Sequence, residues 1–144
     1  MAKPVTPLVA ADTIIELVDF PDRPFVLIER AFEPLGWAIP GGFVDLGETM
    51  EMAAMREAAE ETELSVRLTA LLGLYSDPSR DPRNHTVTAV YVAEAQGFPV
   101  AADDAKDCGV FTFNTIPEVL AFDHAKVLED YHEFVISGRV TPLR

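Results

Sequence analysis

Apolar and polar positions change period along this chain, and the changes mark its elements. Residues 5–19 read as a strand centred on Thr13-Ile14-Ile15-Glu16-Leu17-Val18, and residues 25–28 as a second. Pro21-Asp22-Arg23-Pro24 turns between them, so the two are expected to form a hairpin. Residues 31–36 read as a loop and 37–39 as a short strand before Pro40; Gly41 and Gly42 turn the chain, and 43–45 form another short strand. Thr49 can cap a helix expected to run to about Thr62. On that helix Met52, Met55, Ala58 and Ala59 share a side and are expected to pack inward. Glu57, Glu60 and Glu61 fall within roughly a third of the circumference on the other side.

Beyond the helix, residues 64–75 and 86–93 read as strands flanking a polar loop that holds Pro78 and Pro82. A second polar loop covers 97–107, and 110–113 form a last strand. Ile116-Pro117-Glu118 begins a short helix, and 123–136 a terminal one with Ala125, Val127, Leu128, Tyr131, Phe134 and Val135 as its apolar positions. There is no internal repeat, low-complexity tract or linker, so residues 1–144 are expected to form one domain. Strands bracketing a central helix, with another helix closing the chain, predict an α/β (α+β) fold with a mixed central sheet covered by helices.

Charge narrows the functional classes. The formal net charge of −13 argues against a nucleic-acid backbone or an anionic membrane as partner. An acidic protein that handles phosphates must concentrate positive charge locally, as Arg, Lys or a bound metal. The single cysteine, Cys108, rules out an intrachain disulfide framework and heads an apolar run, where it reads as buried filler. No apolar run approaches the roughly 20 residues of a membrane span, and the N-terminus lacks the pattern of a signal peptide. The expectation is a cytoplasmic protein in a reducing compartment.

The most informative stretch is Gly41 to Leu64, GGFVDLGETMEMAAMREAAEETEL. Six glutamates (48, 51, 57, 60, 61 and 63) stand there against one base, Arg56. Like charges one helical turn apart destabilise a helix, so a solvated acidic face competes with a second reading: a bound divalent cation that offsets the repulsion. Hard cations such as Mg²⁺ take oxygen ligands and commonly bridge to phosphates. The order Gly42, Glu48, Arg56-Glu57-Ala58, Glu60-Glu61 and Leu64 closely resembles the Nudix box, GX5EX7REUXEEXGU, over residues 42–64. Two departures stand out: Glu63 occupies the glycine position, where a helix C-cap is expected, and Ala58 is small for an aliphatic slot.

The resemblance implies a Nudix-like α/β/α sandwich and a metal-dependent hydrolase of nucleoside diphosphates linked to another moiety. Carried over position by position, it implies Glu57 and Glu61 as direct ligands of Mg²⁺ or Mn²⁺. Glu60 would be a ligand directly or through water, and the Gly41 carbonyl another; Arg56 would pair with Glu48 and hold the carboxylates in place. A simple ion pair of Arg56 with Glu60, one turn on, is compatible with that role. It also implies an acid on a later loop acting as base or extra ligand. The loop 101–107 offers Asp104 first and Asp103 second, with solvation of the loop as the alternative.

The run Tyr75-Ser76-Asp77-Pro78-Ser79-Arg80-Asp81-Pro82-Arg83-Asn84-His85-Thr86-Val87-Thr88 is similar to that of small prokaryotic ADP-ribose pyrophosphatases within the family, as is Phe122-Asp123-His124-Ala125-Lys126-Val127-Leu128. Arg80 and Arg83 can grip phosphate, or stay in the turn with Arg80 on Asp77 or Asp81. Arg30 reads as a phosphate or ribose contact. Tyr75 and Phe43 can stack on a base, and Trp37 reads as core. His85 and His124 can serve as acid–base groups, with a structural role for His85 and a capping or packing role for His124 as the competing readings, and His132 reads as solvated. The expected reaction is ADP-ribose to AMP and ribose 5-phosphate, on a small-molecule nucleotide. Hydrolysis of a nucleoside triphosphate or dinucleotide is the second reading. A non-catalytic ADP-ribose sensor is the third; it would rely on an appended winged-helix domain, for which a chain ending at Arg144 leaves no room. The resemblance also implies a homodimer through the N-terminal strands.

Overall fold

The computed structural model describes residues 2–143. Its elements are β1 (Leu8–Leu17), β2 (Phe25–Arg30), β3 (Trp37–Ala38), β4 (Gly41–Phe43), α1 (Met50–Thr62), β5 (Arg67–Tyr75), β6 (Thr86–Ala95), β7 (Ala105–Phe111) and α2 (His124–Ser137). The sheet is mixed and seven-stranded, with the path β3-β2-β1-β6-β5; β4 pairs with β1 and β7 with β2. Among the named strands of the described residues, β1 and β6 are the parallel pair, in register from Leu8 opposite Thr86 to Leu17 opposite Ala95. β1 and β2 form the expected hairpin.

The alternation of β1 sends its residues to two layers. Ala11 packs with Ala53 and Ala54 of α1, and Ile15 and Leu17 pack with Ala58 and Leu64. Ile14 faces the other way, into a cluster with Val90, Val92, Val127, Leu128 and Tyr131 under α2. Asp12 shares the parity of Ile14 and therefore looks toward the start of α2. No helix among the described residues is long and apolar enough to cross a membrane.

Four expectations are corrected. Residues 116–118 form no helix. The last strand begins inside the expected polar loop, because β7 pairs back along β2 as far as Arg30 opposite Ala105. Gly41 and Gly42 are not a turn but the strand β4, laid against Asp12 and Ala11. Met52, Met55 and Ala59 do not pack inward: both methionines are exposed, and the buried stripe of α1 is Ala53, Ala54, Ala58, Glu61 and Thr62. Alanines let the helix axis approach the sheet closely, and the longer methionines are left outside.

α1 starts as expected, with the Thr49 Oγ1 accepting from the Met52 amide at 3.1 Å. It ends at Glu63, which adopts the left-handed conformation (φ 59°) and donates its amide to the Ala59 carbonyl. α2 starts at Asp123, whose carboxylate makes no cap bond. It is taken instead by Arg80, at 3.0 and 2.7 Å.

Candidate active site

Where α1 meets β4, helical spacing puts Ala53, Glu57 and Glu61 on one ridge, so two carboxylates follow a buried alanine toward the sheet. They fit because β4 has no side chains at that point. A Cβ on Gly42 would come within 2.5 Å of the Glu57 carboxylate, and one on Gly41 within 1.9 Å of the Asp12 Oδ1. The Gly41 amide donates to the Glu61 Oε1 at 2.8 Å. Glu61 is only 4% exposed, and burial pushes its carboxyl up to about 8 against the pull of that amide. Burial also raises Glu57, opposed by the Arg56 guanidinium.

Arg56 ties the helix to the loop ahead of it. It forks onto Glu48 at 2.7 and 2.9 Å, reaches Glu57 at 2.8 Å and Glu60 at 3.2 Å, and donates to the Phe43 carbonyl at 3.0 Å. Its hydrogen bonds hold the Glu48 carboxyl down at about 2. The expected pairs with Glu48 and with Glu60 therefore coexist. Glu60 stands apart from the other two acids: it is exposed and turned to Arg56, and it does not line the cleft.

The cleft has a volume of 390 Å³. Asp104 lines it and Asp103 does not. All three expected arginines reach the cleft wall, in different states. Arg80 is buried, held by Asp123 and donating to the Thr88 Oγ1 at 2.6 Å. Arg83 is locked onto Asp81 at 3.0 and 2.8 Å and lies between the rings of Phe43 and Phe122, at 5.6 and 5.3 Å from their centroids. Arg30 also sits over Phe122, at 4.9 Å from its centroid, and donates to the carbonyls of Pro34 and Glu33. Among the described residues it has no carboxylate partner. Burial, and then the charge of Arg83, lower its affinity for its proton. Both effects favour an anion beside it.

Tyr75 is not part of the cleft. It is buried in the core and its hydroxyl donates to Asp130 at 2.7 Å. Trp37 packs edge-on against Phe111, His85 lies 3.1 Å from the Ser76 carbonyl, and exposed His132 rests on Phe113. Cys108 is half-buried, and burial pushes its thiol up to about 11, which makes it a poor nucleophile.

The sequence did not place Asp12, His124 or Phe122 in the wall. Asp12 and His124 lie side by side in it, and Phe122 carries two guanidiniums, those of Arg30 and Arg83, against its ring. Asp12 carried a legible signal, an acid inside an otherwise apolar strand. Phe122 stands in a stretch already matched to the family, but nothing in that match places its ring in the cleft, which it enters through a left-handed backbone (φ 56°) ahead of α2.

The fit for a divalent cation rests on the donors. Glu57, Glu61 and the neighbouring Gly41 are all-oxygen donors, and two partly desolvated carboxylates lack a full counter-charge. Among the described residues no three His, Cys, Asp or Glu side chains form a ready metal cage.

The chain matches the NUDIX domain over residues 7–131. An ADP-ribose pyrophosphatase of Methanocaldococcus jannaschii is 45% identical over 128 residues, which are 87% of this chain and 73% of that protein. A MutT/nudix family protein of Enterococcus faecalis superposes with a TM-score of 0.82 at 25% identity, over 94% of this chain and 65% of the other. The NUDIX domain of Shewanella oneidensis NrtR, solved in complex with ADP ribose, gives a TM-score of 0.77 at 26% identity, over 91% of this chain and 90% of that one.

Proposed function

Because this chain belongs to the NUDIX family, whose hydrolases need a divalent metal, we propose that it hydrolyses ADP-ribose to AMP and ribose 5-phosphate with Mg²⁺ or Mn²⁺, in the cytoplasm. The observation that carries this reading is the pairing of Glu57 with buried Glu61 against the bare backbone of Gly41 and Gly42. Glu57, Glu61 and the Gly41 carbonyl would hold the cation. Such an ion draws charge from a pyrophosphate bridge and makes a bound water more acidic. Arg56 holds Glu57 in place and keeps Glu48 ionised. Glu60, held by the same guanidinium from outside, sets the position of Arg56.

On the other wall Arg30 is the guanidinium left for a phosphate. Arg83, Phe43 and Phe122 form an alternating stack whose flat, half-open faces suit the nucleoside end. Asp104 lines the cleft and makes no hydrogen bond or ion pair among the described residues. It takes the proton as water attacks phosphorus and the bridging oxygen leaves with one of the two phosphates. Arg80 holds the wall together and touches no substrate.

The test is product analysis after incubation with ADP-ribose, with and without Mg²⁺ or Mn²⁺. AMP and ribose 5-phosphate should appear only with metal, and Glu57→Gln should abolish them while keeping the fold. Pyrophosphate released from nucleoside triphosphates, with ADP-ribose untouched, would sink the proposed substrate.

A further inference from the structure

His124 is 2% exposed, yet it is the first residue of α2 and borders the cleft. The Ile39 amide donates to its Nδ1 at 3.0 Å. That nitrogen therefore carries a lone pair, and the proton of the neutral ring lies on Nε2. Nε2 is 3.3 Å from the Asp12 Oδ2. Asp12 is itself 7% exposed and lies opposite Gly41 in the β1–β4 register. Its Oδ1 occupies the space where a Gly41 side chain would start. Between these two contacts the Thr13 amide donates to the Pro40 carbonyl at 2.8 Å.

One imidazole thus touches both ends of a three-residue segment. It accepts from Ile39 directly, and it lies against Asp12, which faces Gly41 across the β1–β4 pairing. The Gly41 amide is the group that orients Glu61. An apolar pair would fill this corner as well as a histidine and an acid do. It would not place an acid beside Glu57 and Glu61, where like charges repel. A purely structural device would avoid that juxtaposition; a site that receives a cation would not.

We propose that Asp12 and His124 are positioning residues: together they set the Gly41 backbone, and through it the aim of Glu61 at the cation. The inference rests on the cation-dependent reading of the site. Partners of this kind behind metal ligands typically affect affinity by about 10- to 100-fold.

The experiment measures Mn²⁺ binding to the nucleotide-free protein by calorimetry, alongside kcat and KM for ADP-ribose. Asp12→Asn keeps size and one acceptor, and His124→Gln keeps a donor near Nε2; His124→Phe removes both contacts. Leu128→Ala, in the core under α2, serves as the control that lowers melting temperature only. Asp12→Asn and His124→Phe should weaken Mn²⁺ by tenfold or more and lower kcat. KM for ADP-ribose should stay within about twofold, and His124→Gln should recover part of the loss. If Asp12→Asn and His124→Gln bind Mn²⁺ as the unaltered protein does, the positioning role is wrong while the cation site stands. If the unaltered protein binds no Mn²⁺ at all, the cation reading falls and takes this inference with it.

Discussion

Glu61→Gln should make the metal-free protein more stable and far less active. The carboxyl of Glu61 is 4% exposed and is raised from 4.5 to about 8, chiefly by burial. Below 4.5 both folded and unfolded chains carry the proton, so Glu61 imposes no penalty there. Between 4.5 and about 8 the unfolded chain ionises while the folded one resists, and stability falls as pH rises. Above about 8 both are ionised and the loss is complete. At about 1.4 kcal/mol per pH unit that window is worth about 5 kcal/mol at most, and relaxation of the site should leave about 2–3 kcal/mol.

Glutamine removes the charge and keeps an oxygen for the Gly41 amide. In chelator, the variant and the unaltered protein should melt together at pH 4.5. At pH 8 the variant should melt higher by roughly 5–10 °C, at about 3 °C per kcal/mol for a domain of this size. Mg²⁺ at a thousand times its Kd should then reverse the order, since a ligand at that excess adds about 4.1 kcal/mol to the protein that binds it. Turnover of ADP-ribose by the variant should drop on the order of a hundredfold or more. The measurement is a set of melting curves from pH 4.5 to 8.5 with chelator or metal. Equal stability of the two proteins at pH 8 in chelator would refute the claim that burial strains this carboxylate.

Two glycine substitutions should separate the site from the fold. Gly42→Ala meets only the flexible end of Glu57, so it should fold normally and lose turnover. Gly41→Ala also runs into the Ala11 carbonyl at 2.6 Å and should lower the melting temperature as well. The arginines should separate in the same way. Arg30→Ala should raise KM for ADP-ribose by tenfold or more at unchanged stability. Arg80→Ala leaves Asp123 without its partner, and should cost about 3 kcal/mol in denaturant titrations with little change in KM.

How far the sequence carried depended on what each signal encodes. The spacing of glycine, arginine and acids is a statement about one helix and the strand before it. Both are local, and the resemblance implied the Arg56–Glu48 pair in advance; the contact of Arg56 with Glu57 was not foreseen. Which side of α1 faces the sheet was not, because spacing gives relative faces while packing distance chose alanine over methionine. The partners of Arg80 and Asp12 were hidden for another reason: Asp123 lies 43 residues from Arg80, His124 lies more than a hundred from Asp12, and both pairs meet only in the folded cleft.

Glu63 shows the two kinds of information meeting. Its position in the motif calls for glycine, and the backbone does what a glycine would do, with φ 59° and ψ 21° and the amide on the Ala59 carbonyl. A side chain in that conformation costs about 1–2 kcal/mol, partly offset by the greater freedom glycine has in the unfolded chain. Glu63→Gly should therefore stabilise the protein by about 1 kcal/mol and raise its melting point by roughly 3 °C. Because Glu63 is exposed and outside the cleft, kcat and KM should not move. The same gain from Glu63→Ala would show that relief of charge, not of backbone strain, was responsible, since alanine keeps the strain and removes only the acid.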